Sequence, residues 1–268
     1  MADRGASGGE GAGASAAAGP GADEGRGRPA GLPVIDVNEY GGKKDGERQT
    51  LNRRLFMQLL VFDAGPTVSA ALGTLDEALR AHRAPFVLYE DAQNPRGLGL
   101  LSWSEDPALF VDAVRPAVNA PGLEGLRLLP ELTMLGRTYS TGHEPDLAHA
   151  LLHRSRENVL NPAYPWHVWY PLRRSGAFAQ LTPHDQAMIL REHATIGMAY
   201  GQQELAHDIR LACHGLDAKD NEFVIGLVGP ELHPLSHLVQ AMRKTKQTSE
   251  FISQMGPFFV GRAVRRSG

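Results

Sequence analysis

One histidine lies on the apolar side of a helix that the sequence predicts, where it could bind a metal or transfer protons. The helix begins after Thr182, whose hydroxyl can cap the first turn, and Pro183 already has a helical φ. One face then repeats every three or four residues through Ile189, His193, Ile196 and Tyr200. A core histidine bonded to a carbonyl oxygen is the more common explanation of such a pattern. A histidine held in a dry pocket for metal or proton chemistry is the alternative.

Two predicted strands add a phenol, a carboxylate and two guanidinium groups. In the first of these strands, alternation places Tyr170 and Arg174 on one face. In the second, Asp208 and Arg210 share a face, which either meets solvent or lines a polar pocket. The opposite face of that second strand is expected to pack under helices, because it carries Ile209, Leu211 and Cys213.

A ligand that satisfied these groups would be large and flat. It would accept an axial nitrogen from His193 and would carry carboxylates for Arg174 or Arg243. Haem-like tetrapyrroles meet this description. Many other pockets contain the same residue types, so the spacing alone does not identify the ligand.

The elements that must position these residues follow one order twice, β-α-β-β-α-β, which is the ferredoxin-like arrangement. The first set comprises Leu55–Phe62, Val68–Ala81, Pro85–Tyr89, Gly97–Trp103, Pro107–Val118 and a long strand Leu126–Tyr139. The second set comprises Trp166–Arg174, Pro183–Tyr200, Asp208–Leu216, Glu222–Val228, Leu232–Met242 and Gly256–Val264. The sequence therefore predicts an α+β fold, with two tandem ferredoxin-like (βαββαβ) units forming a dimeric α+β barrel within one chain.

The composition changes along the chain and suggests its organisation. Residues 1–33 consist largely of Gly, Ala, Ser and Pro, and too little large apolar surface is present there to offset the entropy of ordering. We therefore expect a disordered tail, followed by an irregular approach at 34–52. The expected divisions after the tail are a first unit at 34–140, a linker with a helix at 141–165, and a second unit at 166–268.

The overall composition excludes several classes of protein. The 268 residues carry a formal net charge of -3, which argues against nucleic acid as the main partner. Cys213 is the only cysteine, so an internal disulfide or a CxxC motif is excluded. No apolar run has the length of a membrane span, and we expect a cytoplasmic protein. Three linker histidines, which read most simply as surface residues, are His143, His149 and His153.

The second unit resembles the chlorite dismutase superfamily, which includes the coproheme decarboxylases. Four segments in family order, covering about 100 residues, carry the resemblance: 170-YPLRR-174, 192-EHATIGMAYG-201, 215-GLDAKDNEF-223 and 242-MRKTKQTSEFISQMGPFFVG-261. The resemblance implies haem b or coproheme as the iron-containing ligand. It also implies hydrogen peroxide or chlorite as the small oxidant, and a homo-oligomeric ring, often a pentamer.

The resemblance also assigns roles to individual residues. His193 matches the histidine that ligates haem iron, and Tyr170 matches the radical relay of coproheme decarboxylases. Arg174 stands where those enzymes usually have a lysine. Arg243 matches an arginine that contacts a propionate, and Thr248 falls where a hydroxyl residue often does the same. His193, Tyr170 and Arg243 place the chain nearest the coproheme decarboxylase branch.

Two departures from the family pattern weaken a chlorite dismutase function. The distal position falls on Asp208, where chlorite dismutases have an arginine, although Arg210 follows on the same strand face. Chlorite dismutases also hydrogen-bond the axial histidine with a glutamate near the place of Gln247, and an amide withdraws its proton less strongly.

Three functions follow from these residues. The first is peroxide-dependent decarboxylation of coproheme to haem b, with His193 as the axial ligand and Tyr170 as the relay. The second is chlorite dismutation or a peroxidase-like reaction on permanently bound haem b, with Arg210 and Asp208 near the oxidant. The third is a non-enzymatic haem sensor or carrier.

Overall fold

The computed structural model describes residues 31–268, and its main body comprises Val37–Gly268. The predicted disordered tail, residues 1–33, lies outside the described residues except for its last three. Those three form a turn and coil. Across the described residues, no helix combines the length and the apolar character needed to cross a membrane.

The first half of the main body consists of a hairpin, a set of sheet strands and two helices. Its elements are β1 (Glu39–Lys44), β2 (Glu47–Leu51), β3 (Phe56–Asp63), α1 (Val68–Ala81), β4 (Phe86–Asp91), β5 (Gly97–Ser104), α2 (Arg115–Val118), β6 (Arg127–Leu128) and β7 (Met134–Thr138). The predicted helix α1 is confirmed, because its apolar residues Leu72, Leu75 and Leu79 recur on one face and bury it against the sheet.

The second half repeats this order with longer helices. Its elements are α3 (Arg154–Leu160), β8 (Trp166–Arg174), α4 (Gly176–Ala179), α5 (Pro183–Gln202), β9 (His207–Ala212), β10 (Phe223–Gly229), α6 (Leu232–Met242), α7 (Lys246–Phe251), β11 (Ile252–Met255) and β12 (Phe259–Ser267). The predicted bounds of β8 and α6 are confirmed to the residue. The helix α7 and the strand β11 were not predicted.

The sheet closes on itself as an eight-stranded antiparallel barrel. The strands of the first half lie in the order β7-β3-β5-β4, and those of the second in the order β12-β8-β10-β9. The two sets join where Thr138 pairs with Leu211 and where Gly261 pairs with Asp91. Each half therefore has the ferredoxin-like strand order, and the predicted fold is confirmed. The division of the chain into units at 140 and 166 stays a proposal.

Large side chains from both halves fill the barrel interior. Trp169 and Phe259 are fully buried there together with Met57 from the first half. A Cβ at Gly226 would lie 2.5 Å from the indole of Trp169, so this strand position needs a glycine for the ring to fit. The interior is a packed core, and a ligand site must lie outside it.

The barrel interior also holds a fully buried histidine. The Nε2–H of His167 donates to the carbonyl of Tyr164 at 3.1 Å, and Nδ1 therefore accepts from the Tyr89 hydroxyl at 2.9 Å. Burial lowers the pKa of His167 to about 3. The imidazole is therefore neutral in the folded protein, and its two nitrogens are both satisfied.

We expect His167 to make the fold sensitive to acid. The unfolded chain binds a proton at this residue below pH 6.5, whereas the folded chain does so only near pH 3, so stability is lost as the pH falls through this window. The full loss corresponds to about 5 kcal/mol. Urea unfolding between pH 7 and pH 4 should show a flatter dependence in His167→Gln than in the wild-type protein. An equal pH dependence of stability in the two proteins would contradict the role of His167 in acid sensitivity.

Three sequence predictions about the first half were wrong, each for a local reason. Residues 34–52 are irregular only as far as residue 38, because Asp45 and Gly46 take positive φ values in a two-residue turn that closes the hairpin β1–β2. The predicted strand Leu126–Tyr139 is broken at Pro130, which starts a short 3₁₀ turn and has no N–H for the sheet. The predicted helix Pro107–Val118 is a π-helical turn followed by the short α2, which contains Pro116.

The remaining differences concern the linker and the strand β9. The linker helix, which we predicted at Pro145–Arg156, begins with a π-helical turn at His149 and continues as α3 to Leu160. The strand β9 ends at Ala212 and not at Leu216, because Cys213 starts a hydrogen-bonded turn there. The faces of β9 are also reversed. Its apolar side fills the barrel interior, and its polar side lies on the outer, helix-bearing face of the sheet.

Candidate functional site

The helix α5 presents its histidine to the outer face of the second half of the sheet. The Thr182 hydroxyl accepts from the N–H of Asp185 at 3.2 Å, so the predicted cap is confirmed. Ile189 is buried and His193 is half-buried, whereas Leu190 and Met198 on the opposite side are exposed. The predicted stripe is therefore the inward face of the helix.

His193 is held as a neutral imidazole. Its Nδ1 lies 3.4 Å from the hydroxyl oxygen of Thr245. Burial is the main cause that lowers its pKa, and the positive charge of Arg210 lowers it further, while Asp208 opposes this effect. A neutral imidazole keeps one nitrogen lone pair, which is what a metal ion requires.

Tyr170 lies on the sheet wall that faces the helices. Tyr170 pairs with Ile225 on β10, and Ile225 pairs with Arg210 on β9. The three side chains therefore form one row across the sheet. The Tyr170 ring is buried and stacks on Phe258 with 4.6 Å between ring centroids. The phenol is therefore fixed in orientation.

One charged group, Asp208, acts on both Tyr170 and His193. Burial is the main cause that raises the pKa of Tyr170, and Asp208 raises it further, while Arg243 opposes them. Asp208 and Arg210 also act on His193. The residues predicted on α5, β8 and β9 therefore lie close enough together for the Asp208 charge to influence both Tyr170 and His193.

Arg210 and Asp208 form an ion pair on the polar face of β9. The Arg210 Nε lies 2.9 Å from the Asp208 carboxylate, with 35% of the arginine side chain and 44% of the aspartate side chain exposed. The carboxylate compensates most of the positive charge that Arg210 would otherwise offer to an anion. Both residues therefore lie at the site, but as an ion pair in which neither charge is free of the other.

Arg174, at the end of β8, makes an ion pair and two cation–π contacts within the protein. Its Nε lies 3.3 Å from the Glu222 carboxylate, and its guanidinium carbon lies 4.6 Å from the ring centroids of both Phe178 and Phe223. This arrangement satisfies its charge within the protein. The sequence could not indicate Glu222 as the partner, because the contact depends on how the turn before β10 closes against β8.

The segment between α6 and α7 carries the other predicted residues. Arg243 follows the last turn of α6 and is exposed. The N–H and hydroxyl of Thr248 lie 3.4 and 3.3 Å from the hydroxyl oxygen of Thr245. Within the described part of the chain, the buried Oε1 of Gln247 has no hydrogen-bond partner. This segment thus holds a cation, two hydroxyls and a free acceptor beside α5.

Thr245 is the site residue that the sequence did not reveal. It is buried, and its hydroxyl caps α7 while facing His193. The spacing Thr245-x-x-Thr248 before a short polar stretch is a capping signal that could have located the helix start. It could not have indicated the contact with α5, which arises only in the folded chain.

These walls fit a flat ligand held by one axial nitrogen. The sheet wall is largely apolar and aromatic, with Val168, Tyr170 and Leu172 from β8 and Leu227 from β10 in one cluster. The helix wall carries His193, within the electrostatic reach of Asp208 and Arg210. Among the described residues, no group of three or more His, Cys, Asp or Glu side chains could hold a bare metal ion. A tetrapyrrole, which supplies four of the ligands to its own iron, needs only the single imidazole.

The comparisons with known proteins agree with this geometry. The sequence profile of the chlorite dismutase family matches residues 147–264, which include β8, α5, β9 and α6. Residues 147–264 belong to the chlorite dismutase family. The family's sequence thus spans every element that carries the candidate site, and the hairpin and barrel strands before it lie outside the matched segment.

Solved structures extend the likeness to the fold of most of the chain. A heme-binding protein from Thermus thermophilus superposes with a TM-score of 0.64 at 16% identity, over 81% of this chain and 93% of that one. A mutant chlorite dismutase from Candidatus Nitrospira defluvii superposes with a TM-score of 0.62 at 11% identity, over 80% and 93%. Comparison with curated protein sequences gives no match. At these identities the likeness establishes the fold.

Proposed function

We propose that this protein is a haem-dependent oxidoreductase that binds coproheme as its substrate and, with hydrogen peroxide, converts it to haem b. The observation that carries the proposal is the placing of Tyr170 and His193 on two walls that both feel the charge of Asp208, which is itself paired with Arg210. The membership of the matched segment in the chlorite dismutase family supports it.

Each residue has a separate task in this proposal. His193 binds the iron through Nε2, and Arg243 binds a propionate by charge-assisted hydrogen bonds. A tetrapyrrole iron held there would supply oxidising equivalents taken from peroxide. Tyr170 would relay an electron from the propionate side chain, and Asp208 is a charged neighbour of its phenol.

The reaction balances without a further co-reactant. Each propionate side chain loses its carboxylate as CO₂ and becomes a vinyl group, which releases two electrons. Hydrogen peroxide takes up these electrons with protons and leaves as two molecules of water. The two propionates that are converted therefore consume one peroxide each. Tyr170 is buried and aromatic, so it can carry the electron while solvent is excluded.

Chlorite dismutation on permanently bound haem b is the second candidate. Arg210 favours it, because this guanidinium lies in one row with Tyr170 and could hold an anionic oxidant. The ion pair with Asp208 opposes it, since the carboxylate repels the same anion. A haem sensor or carrier is the third, and the weak partner of His193 is the observation that favours it.

The test compares two oxidants on the same protein. The protein loaded with coproheme receives hydrogen peroxide, and the protein loaded with haem b receives chlorite. Release of CO₂ in the first reaction, without oxygen in the second, is the expected result. Oxygen evolution from chlorite would support the second candidate function in place of the first. If neither CO₂ nor oxygen forms, the haem sensor or carrier remains as the candidate function.

We also propose that the protein assembles into a homo-oligomer. The solvent side of α5 exposes Leu190 and Met198. Apolar groups at one place on a surface favour association. Light scattering should give a mass of several chains, and replacing Leu190 and Met198 by lysine should lower it. A monomeric wild-type protein would contradict the proposal.

A further inference from the structure

We infer that Thr245 is a positioning residue that fixes the tautomer and orientation of His193. The inference rests on the proposed function in one respect, namely that Nε2 of His193 is the nitrogen that meets the iron. The tautomer itself follows from contacts within the chain. No sequence motif pointed to Thr245.

The hydrogen bonds of the Thr245 hydroxyl decide which nitrogen carries the proton. A hydroxyl has one hydrogen to donate, and Thr245 gives it to the carbonyl oxygen of Met242 at 2.8 Å, with the Thr248 hydroxyl oxygen as a more distant acceptor of the same hydrogen at 3.3 Å. The same oxygen accepts from the N–H of Thr248 as the cap of α7. One lone pair is left, and Nδ1 of His193 lies 3.4 Å from the hydroxyl oxygen that carries it. An interaction there is attractive only if Nδ1 carries hydrogen.

The opposite tautomer would place two lone pairs against each other. Thr245 could relieve this only by turning its hydrogen away from Met242, whose carbonyl would then keep only the bond from the Thr245 backbone N–H at 3.1 Å. Thr245 is 1% exposed, so water is not at hand to replace either bond. The contacts therefore favour Nδ1–H and leave the lone pair of His193 on Nε2.

This arrangement also sets how strongly the imidazole donates to a metal. A carboxylate partner pulls the Nδ1 proton and increases the basicity of the ligand, whereas a hydroxyl at 3.4 Å does so weakly. Thr245 also caps α7 shortly after Arg243. The turn 242–245 thus holds both the partner of the axial ligand and the proposed propionate-binding arginine.

The test begins with the protein free of any tetrapyrrole. Histidine ¹⁵N chemical shifts distinguish a nitrogen with hydrogen from a bare one, and His193→Gln identifies the signal. We expect Nδ1–H in the wild-type protein and in Thr245→Ser, which keeps the hydroxyl. Thr245→Val should lose this preference. The matched control is Ser249→Ala, which removes a neighbouring hydroxyl of α7 that bonds to the Thr245 carbonyl instead of His193. An Nε2–H signal in the wild-type protein would overturn the inference.

A second measurement uses the protein loaded with haem b. Thr245→Asp keeps a side-chain cap for α7, its folding is checked by circular dichroism, and its carboxylate pulls the imidazole proton strongly. The iron–histidine stretching band should move up and the midpoint potential down in Thr245→Asp, with both changes reversed in Thr245→Val. Equal shifts in both variants would overturn the inference. Failure of every variant to bind haem would reject the proposed function instead, and the ¹⁵N result would still decide the tautomer.

Discussion

Replacing Tyr170 by phenylalanine should stop the release of CO₂ from coproheme while coproheme still binds. The substitution removes only the hydroxyl, and the ring keeps its stack on Phe258 at 4.6 Å. Without an O–H bond the ring cannot pass on an electron together with a proton. We expect the rate to fall by roughly 100-fold or more, the scale of a positioned proton-transfer group.

The measurement is CO₂ release under hydrogen peroxide, with coproheme binding followed separately by the Soret band. Tyr164→Phe is the matched control, since its hydroxyl contacts Glu204 and His207 away from the site. The control should keep the wild-type rate. A Tyr170→Phe protein that decarboxylates normally would exclude Tyr170 as the relay, whereas loss of coproheme binding would show that the phenol serves binding.

Replacing His193 by alanine should abolish the axial bond to the iron. We expect the affinity for coproheme or haem b to fall by more than the roughly 10–100-fold that is typical of losing a ligand's hydrogen-bond partner. Added imidazole should restore the spectrum of the histidine complex, because it can occupy the space that the substitution leaves. His184→Ala is the control, since it removes an exposed histidine from the same helix.

The pH dependence of the same complex follows from the imidazole. Burial lowers the pKa of His193 below its ordinary value of 6.5. The neutral form, which binds iron, therefore persists as the pH falls through 6.5, and the ligand is lost only under more acidic conditions. Spectra that are identical for the wild-type protein and His193→Ala would make His193 a core histidine.

The regular elements of the fold could be predicted because their signals are local. The apolar stripe of α5 and the alternation in β8 place His193 and Tyr170 on definite faces, and both placements agree with the structure. The turn Asp45-Gly46 carries an equally local signal for the hairpin β1–β2, because Asp-Gly is a typical pair for a two-residue hairpin turn.

The partners of the site residues could not be predicted, because they come from distant parts of the chain. Arg174 meets Glu222 across two strands, and His193 meets Thr245 across two helices. The orientation of β9 also depends on barrel closure, which buries its apolar face inside and turns Asp208 and Arg210 outward. Alternation distinguishes the two faces of a strand but does not say which of them the helices cover.

The most direct test of the account is the mass of coproheme bound to the protein during titration with hydrogen peroxide. Two successive losses are expected, each of CO₂ and two hydrogen atoms as a propionate becomes a vinyl group, ending at haem b. Each loss should consume one peroxide. A bound tetrapyrrole whose mass does not change while its Soret band persists would contradict the account.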